Sequence, residues 1–347
     1  MAAGRGIRTI RAIAAIAAFL LVPQIARAGA PLSFMSADGT KNYSVVALLW
    51  GLLGVSILVV AIVGALLLIG VLRRWREPHS DDPRQVAPFR PERGLAWIYV
   101  GSAISLAALF LSALWTFGVL AHVGSPIGGK PALTVEVVGH QWWWEVRYDS
   151  NEVSRNFTTA NEIHIPTGKP IAVKLSTTDV IHSFWVPKLT GKMDTIPGQN
   201  NETWLEADQP GTYRGQCTEY CGLEHANMAF NVVADPPDKF AAWWDNQLKG
   251  AAAPASASAA QGQSAFLLHC AVCHAIRGTT AGGALGPDLS HLMTRQAIAS
   301  GTLPNTPGYL AAWIADPQHI KPGNLMPVLD LSGPELASIE AYLETLH

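Results

Sequence analysis

The sequence predicts a multi-domain membrane protein: a two-helix transmembrane hairpin, a β-sandwich body, and a small all-α unit at the C-terminal end. Three observations carry this expectation. Two long stretches contain no Asp, Glu, Lys or Arg; beyond Lys130 short alternating segments replace continuous apolarity; and after an Ala/Ser/Pro-rich stretch the apolar spacing turns helical. Of the 347 residues, 49% are apolar and only 14% charged, against roughly 25% charged in a soluble domain. With 12 Trp and a net charge of −2, the chain reads neither as a disordered polymer nor as a nucleic-acid binder.

In chain order, Arg5, Arg8 and Arg11 precede an apolar run from Ala12 to Val22, and Ala26-Arg27-Ala28 has the small-x-small pattern of a signal-peptidase site. Residues 1–28 are therefore expected to be a secretory signal, since about eleven apolar residues at 1.5 Å each cannot cross a core roughly 30 Å thick. Residues 42–72 and 94–121 are the expected spans. The loop 73–93 between them carries Arg73, Arg74, Arg76, Arg84, Arg90 and Arg93. By the positive-inside rule it is cytoplasmic, which leaves both ends of the mature chain in the periplasm.

Residues 130–248 hold the segments Leu133 to Val138, Trp142 to Tyr148, Glu162 to Ile165, Ile171 to Leu175 and Met228 to Val233, each bounded by Gly, Pro, Asn or Asp. That is the pattern of a sandwich or barrel, closed here by an expected helix from Asp238 to Leu248. Residues 249–262 are dominated by Ala, Ser and Gly, with no large apolar residue from Gly250 to Gly262. They are expected to be a mobile linker. Residues 263–347 regain helical spacing at Ala265 to Cys270, Tyr309 to Ile314 and Pro334 to Leu346, enough for one small domain around a cofactor. Charge divides along the same line: residues 1–129 carry 11 basic against 5 acidic residues, or +6, and residues 130–347 carry 13 against 21, or −8. An acidic body steers basic partners towards it.

The four cysteines fall into two close pairs, a spacing that suits metal or cofactor ligation better than a disulfide framework. The first pair lies in Gly215-Gln-Cys217-Thr-Glu219-Tyr-Cys221-Gly-Leu-Glu-His225-Ala-Asn-Met228. Thiolate, imidazole and thioether are the ligands of electron-transfer copper, and a second thiolate could bridge two copper ions. A symmetric pair needs another imidazole. His182 is the candidate, with His140 and His164 as rivals; His164 alternates with Ile163 and Ile165, which suits a solvent-facing strand residue. Of the run Trp142, Trp143 and Trp144, composition alone assigns two to the core.

The second pair, Cys270-Ala-Val-Cys273-His274, is the attachment signature of a c-type haem, with two thiols for the vinyl groups and the adjacent His for the iron. Two methionines follow. Met293 keeps company with Leu289 and Leu292 on a short apolar face, whereas Met326 sits in a Pro- and Gly-rich stretch that cannot be helical. Met326 is therefore the expected sixth ligand.

The motif Cys217-x3-Cys221-x3-His225-x2-Met228, with His182 and Gly139-His-Gln-Trp142-Trp-Trp before it, resembles the copper-A domain of the cytochrome c oxidase subunit II family over about residues 40–235. Leu285-Gly-Pro-Asp-Leu and Lys321-Pro-Gly-Asn-Leu-Met326-Pro resemble class I cytochrome c segments, so nearly the whole mature chain is similar to the cytochrome c-fused branch of that family. The resemblance implies a cupredoxin-like β-sandwich followed by an all-α class I cytochrome c domain. It implies His182, Cys217, Cys221, His225 and Met228 as side-chain ligands of a binuclear copper A. Glu219 would add its backbone carbonyl, with its carboxylate reaching a Mg²⁺ at the subunit I interface. Trp142 would be the exposed point at which electrons enter, and Asp194 falls in a stretch near the subunit I contact. In one place the pattern departs: the family's proton-admitting acid three residues before a Trp is Gly94 here, before Trp97, and the nearest acid is Glu92.

The function so implied is that of subunit II of a proton-translocating cytochrome c oxidase. Electrons from cytochrome c or another periplasmic donor would pass through haem c and copper A to oxygen reduction in subunit I, with subunit III as a further partner. The chain itself would hold no oxygen-reducing site. Its place would be the bacterial inner membrane, multi-pass, with both cofactor domains periplasmic. Two alternatives stand beside it: an electron-donor subunit of another terminal reductase, such as one for nitrous oxide, and a copper-delivery or assembly protein, which would need labile copper and no haem.

Overall fold

Ten strands build the body of the molecule, and burial alternates cleanly along β2. The computed structural model describes residues 30–76, 91–124 and 130–347; the expected signal at 1–28 and residues 77–90 of the expected cytoplasmic loop lie outside them. The strands are β1 (Leu133–His140), β2 (Trp143–Tyr148), β3 (Phe157–Ala160), β4 (Glu162–Pro166), β5 (Ile171–Thr177), β6 (His182–Trp185), β7 (Met193–Thr195), β8 (Asn201–Leu205), β9 (Gly211–Cys217) and β10 (Ala229–Asp235). They pair as two five-stranded sheets, β3-β2-β1-β5-β8 and β4-β10-β9-β6-β7. Only β1 with β5 and β10 with β4 run parallel. The period of two turns Trp144, Val146 and Tyr148 of β2 into the space between the sheets, where they meet Phe184 and Phe230 of the facing sheet.

All five segments expected to be strands are strands, and the expected helix is α3 (Pro237–Gln247), numbered after the two long helices described below. β6, β7 and β9 had no alternation long enough to read. On α3, Trp243 and Trp244 close one end of the core: Trp244 meets Phe157 edge-on with ring centres 5.0 Å apart. Trp243 also corrects the solvent-facing assignment of His164. Its indole stacks on the imidazole at 4.2 Å, and His164 Nδ1 lies 2.8 Å from an Asp235 carboxylate oxygen. Burial pushes the imidazole pKa down, but hydrogen bonds to Asp235 and Glu162 outweigh it and the net shift is upward.

Ahead of the sandwich, α1 (Thr40–Arg76) and α2 (Pro91–Gly124) have 37 and 34 residues, about 55 and 51 Å at 1.5 Å per residue, more than the roughly 30 Å hydrocarbon core requires. Their apolar side chains face outward all round, as Leu66, Leu67, Leu106 and Leu109 illustrate. A helix apolar on every side needs lipid or protein around it. Polar bonds tie the outer ends of both helices to the sandwich. Thr40 Oγ1 donates to Glu206 at 2.7 Å, Lys41 Nζ donates to the Trp204 carbonyl at 2.9 Å, and Asn42 Nδ2 donates to the Pro187 carbonyl at 2.6 Å. From β8, Trp204 Nε1 donates back to the Val123 carbonyl at the end of α2, at 2.9 Å.

The C-terminal unit contains α4 (Ala257–His269), α5 (Pro307–Ala315), α6 (Pro317–Ile320) and α7 (Gly333–Leu343), with a two-stranded ribbon of β11 (Ala297–Ile298) and β12 (Leu303–Pro304). α4 corrects the linker expectation, because its first residues, 257–262, lie within the stretch expected to be mobile. Ala is the best helix former, and Ser256 caps the helix by accepting from the Ala259 N–H at 3.1 Å. Upstream, the Ala251 N–H donates to the Arg277 carbonyl at 2.8 Å, so that stretch too is pinned to the helical unit. α4 crosses α7 at Gly262, where a Cβ would lie 1.8 Å from the Ser338 carbonyl oxygen. Only a residue without a side chain permits this crossing.

Gly262→Ala is accordingly expected to force α4 off α7 at a cost of about 1–3 kcal/mol. Calorimetry should show the melting of the C-terminal domain lowered by several degrees with the sandwich transition unmoved; unchanged melting would contradict the crossing.

Candidate metal centres

β9 ends at Cys217 and its antiparallel neighbour β10 begins at Ala229, so residues 218–228 are the loop that joins them. The Cys217 N–H donates to the Met228 carbonyl at 3.0 Å and closes the loop at its base. Gln216 Nε2 donates to the carbonyls of His225, Ala226 and Met228 at 3.2–3.3 Å and holds its return limb. Four soft donors converge inside. The two Sγ atoms lie 3.7 Å apart, Cys221 Sγ lies 3.5 Å from His225 Nδ1 and 3.8 Å from Met228 Sδ, and the Glu219 carbonyl is 3.3 Å from Cys217 Sγ. β6 of the same sheet brings in His182, whose Nδ1 is 4.0 Å from Cys217 Sγ.

All the sequence-expected copper donors are thus gathered at one end of the sandwich. Among the described residues, the cluster of His, Cys or carboxylate groups with ligand atoms all within 4.8 Å of one another is His182, Cys217 and Cys221. The rivals of His182 are engaged elsewhere: His140 lies 3.1 Å from Glu145 and stacks on Trp143, and His164 pairs with Asp235. The Cys221 thiol and the His182 imidazole hold Cys217 well below the ordinary thiol range, and the resulting thiolate pushes Cys221 upward. Two thiols, two imidazoles, a thioether and a carbonyl, with Cys217, Cys221, His182 and Met228 buried and His225 half-buried, fit a pair of soft copper ions. The Glu219 carboxylate is exposed.

Sequence reasoning missed the groups around these donors. Asp179 accepts from the Gln141 and Val180 N–H groups, each at 2.6 Å, and lies 2.8 Å from His182 Nε2. A carboxylate holding the outer ring nitrogen fixes the tautomer and turns Nδ1 towards the sulfurs. The carbonyl of Cys221 accepts from Gln141 Nε2 at 2.7 Å and from Trp142 Nε1 at 3.0 Å. Asp179, three residues before His182, was visible as a partner; Gln141 carried no signal.

Trp142 and Trp144 are the two core members of the aromatic run, as composition indicated. The expected exposure of Trp142 is overturned, since it is only 8% accessible. Gly323 of the C-terminal unit and Leu223 of the copper loop cover its ring, in a region where a Cβ on Gly323 would meet both at 3.6–3.7 Å.

The haem-type signature follows α4. His274 Nδ1 lies 2.8 Å from the Pro287 carbonyl, which makes Nδ1 the protonated nitrogen and leaves Nε2 free for an iron. Burial lowers the imidazole pKa and so keeps the ring neutral. Gly286 is needed at this contact, because a Cβ there would lie 2.7 Å from the ring. Leu268 and Val272, at and beside the signature, and Leu285, Leu325 and Val328 elsewhere in the unit are exposed apolar side chains. Met326 sits in a non-helical loop and Met293 in a 3-10 turn, and both pack on the core of the unit. Gln318 Nε2 donates to the carbonyls of Asn324 and Met326 at 2.8 Å and shapes the Met326 loop. Two thiols, a neutral imidazole and a thioether fit a covalent haem.

A two-helix anchor, a copper-binding cupredoxin sandwich and a haem-type helical domain define a membrane-anchored copper and haem protein. Comparison with known proteins agrees. The profile of "Cytochrome C oxidase subunit II, periplasmic domain" matches residues 151–235, and that of "Cytochrome c" matches residues 259–347. Cytochrome c oxidase subunit 2 of Alkalihalophilus pseudofirmus is 36% identical over 298 residues, covering 84% of this chain and 85% of that one. Its counterpart in Bacillus sp. strain PS3 is 31% identical, covering 73% of each. The crystallised periplasmic domain of subunit II of cytochrome oxidase from Bradyrhizobium japonicum is 33% identical, covering 34% of this chain and 95% of that domain with a TM-score of 0.32. The chain belongs to the cytochrome c oxidase subunit II family and carries a cytochrome c domain at its C-terminal end.

Asp179→Asn removes the charge that orients His182 and is expected to weaken copper retention about 10- to 100-fold. Competition against a chelator, read by copper absorbance, measures this; retention equal to that of the parent chain would show that His182 needs no such partner.

Proposed function

We propose that the chain relays electrons: a donor in the periplasm reduces a haem c held by Cys270, Cys273, His274 and Met326, and the electrons pass by way of a binuclear copper A to the oxygen-reducing site in subunit I. His182, Cys217, Cys221, His225 and Met228 hold the copper pair with the Glu219 carbonyl. The observation that carries this reading is the adjacency of the two sites: the loop with Met326 covers Trp142, whose indole N–H bonds the carbonyl of Cys221. When bound, haem and the copper pair supply one-electron chemistry with little change of geometry. The protein's own residues keep the donors dry, fix each imidazole by its outer nitrogen and hold the two domains together.

Both long helices cross the membrane in this proposal, with the arginine-rich connection 73–93 cytoplasmic and both cofactor domains periplasmic. Residues 1–28 are a removed signal and 249–256 connect the domains. The exposed Glu219 carboxylate faces a partner subunit, where a Mg²⁺ would need its remaining oxygen ligands from outside this chain. Subunits I and III are the partners, and cytochrome c is the donor class that the acidic body would attract.

Purified from membranes, the chain is expected to bring haem a bands along with haem c. Haem c alone would leave the oxidase assignment without support. Cys217→Ser or Cys221→Ser should abolish the near-infrared mixed-valence absorption and turnover while haem c stays; a variant that kept both would exclude bridging thiolates.

Met326→Ala should remove the weak methionine-to-iron charge-transfer band of the oxidised protein and lower the haem potential, whereas Met293→Ala should disturb packing alone. The reverse pattern would assign the sixth ligand to Met293.

A further inference from the structure

Lys321 is 3% exposed, and among the described residues no carboxylate lies within ion-pair distance of it. Its ammonium is satisfied by backbone carbonyls on three separate segments. Nζ donates to Trp142 O at 2.7 Å, to Asn227 O at 2.9 Å and to Ala299 O at 3.4 Å. Trp142 lies in the turn just before β2, with its indole N–H on the Cys221 carbonyl, Asn227 lies in the turn between His225 and Met228, and Ala299 belongs to a turn of the C-terminal domain. Two residues after Lys321, Gly323 lies against the Trp142 ring, and Met326 follows in the same loop. A buried ammonium is tolerated only when its donors are matched, so these contacts specify one placement of that loop.

The rest of the domain boundary supports the same placement. Residues 299–301 are all left-handed, with φ of 51, 59 and 75°. They press Ser300 onto the start of β10, where its Oγ donates to the Ala229 carbonyl at 2.8 Å and the Ala229 N–H donates to the Ser300 carbonyl at 3.1 Å. The Gln296 N–H donates to Glu162 at 2.6 Å.

We propose that Lys321 is a positioning residue for electron transfer within the chain: it clamps the Met326 loop onto Trp142 and the His225–Met228 turn, so that the chain's own cytochrome c domain, rather than a separate protein, occupies the surface over Trp142. The proposal rests on the relay described above. The transfer it serves moves one electron from ferrous haem iron, which becomes ferric, to the oxidised copper pair, and needs no proton. Electron transfer falls steeply with separation, so a loop free to lift from Trp142 slows it while both cofactors stay in place.

The test uses Lys321→Met, of similar length without donors, and Lys321→Gln, which keeps an amide donor, each in the full chain within the purified oxidase. Both variants are expected to retain the methionine-to-iron band and the near-infrared copper band. Internal transfer after flash reduction of haem c should slow roughly tenfold or more in Lys321→Met, and less in Lys321→Gln. Hydrogen exchange of peptides covering residues 140–144 and 225–228 should quicken in the same order. Parent-like transfer and exchange in a loaded Lys321→Met variant would overturn the proposal. Loss of either band in both variants would overturn it too, because Lys321 would then be supporting a cofactor site itself. If the parent chain lacked haem c or copper bands, the relay would fail instead.

Discussion

A single backbone bond, from the Cys217 N–H to the Met228 carbonyl, sets the geometry on which the copper site depends. It makes the first and last donors of the loop neighbours across a strand pair, so Cys221 and His225 have nowhere to go but the space between. The two free thiols lie 3.7 Å apart, buried and within hydrogen-bond reach of each other. His182 arrives from the next strand of the same sheet with its outer nitrogen held by Asp179. The donors are thus held by contacts with the surrounding chain, through Asp179 for His182 and Gln216 for the return limb of the loop.

The haem-type site is organised on the same principle. Pro287 holds the outer nitrogen of His274 as Asp179 holds that of His182, and Gly286 gives the ring its room. In both places one ring nitrogen is held by an oxygen and the other is left for a ligand. The Met326 loop is tied by Gln318 on one side and by Lys321 on the other, so one loop shapes the haem site and covers the tryptophan beside the copper donors. The boundary between the domains is polar and specific, with Lys321, Ser300 and Gln296 each matched to a partner on the sandwich. Buried polar groups of this kind contribute little net stability but strongly disfavour other arrangements. The hairpin is joined to the sandwich in the same way, through Lys41, Asn42 and Trp204.

The sequence by itself determined the three-part architecture, both long apolar helices, five strands, the main helices and every candidate donor. These rest on local rules: uncharged runs for lipid, alternation for strands, and fixed spacings for Cys217 to Met228 and Cys270 to His274. Only the tertiary structure decided that Asp179 orients His182, that His140 and His164 are engaged elsewhere, that 257–262 is helix rather than linker, and that Trp142 is covered. Most of these turn on contacts between residues far apart in the chain, such as Lys321 with Trp142 or Gly262 with Ser338. A lone lysine in a Pro- and Gly-rich loop has no local signal; its meaning comes from the three carbonyls that the folded chain brings around it.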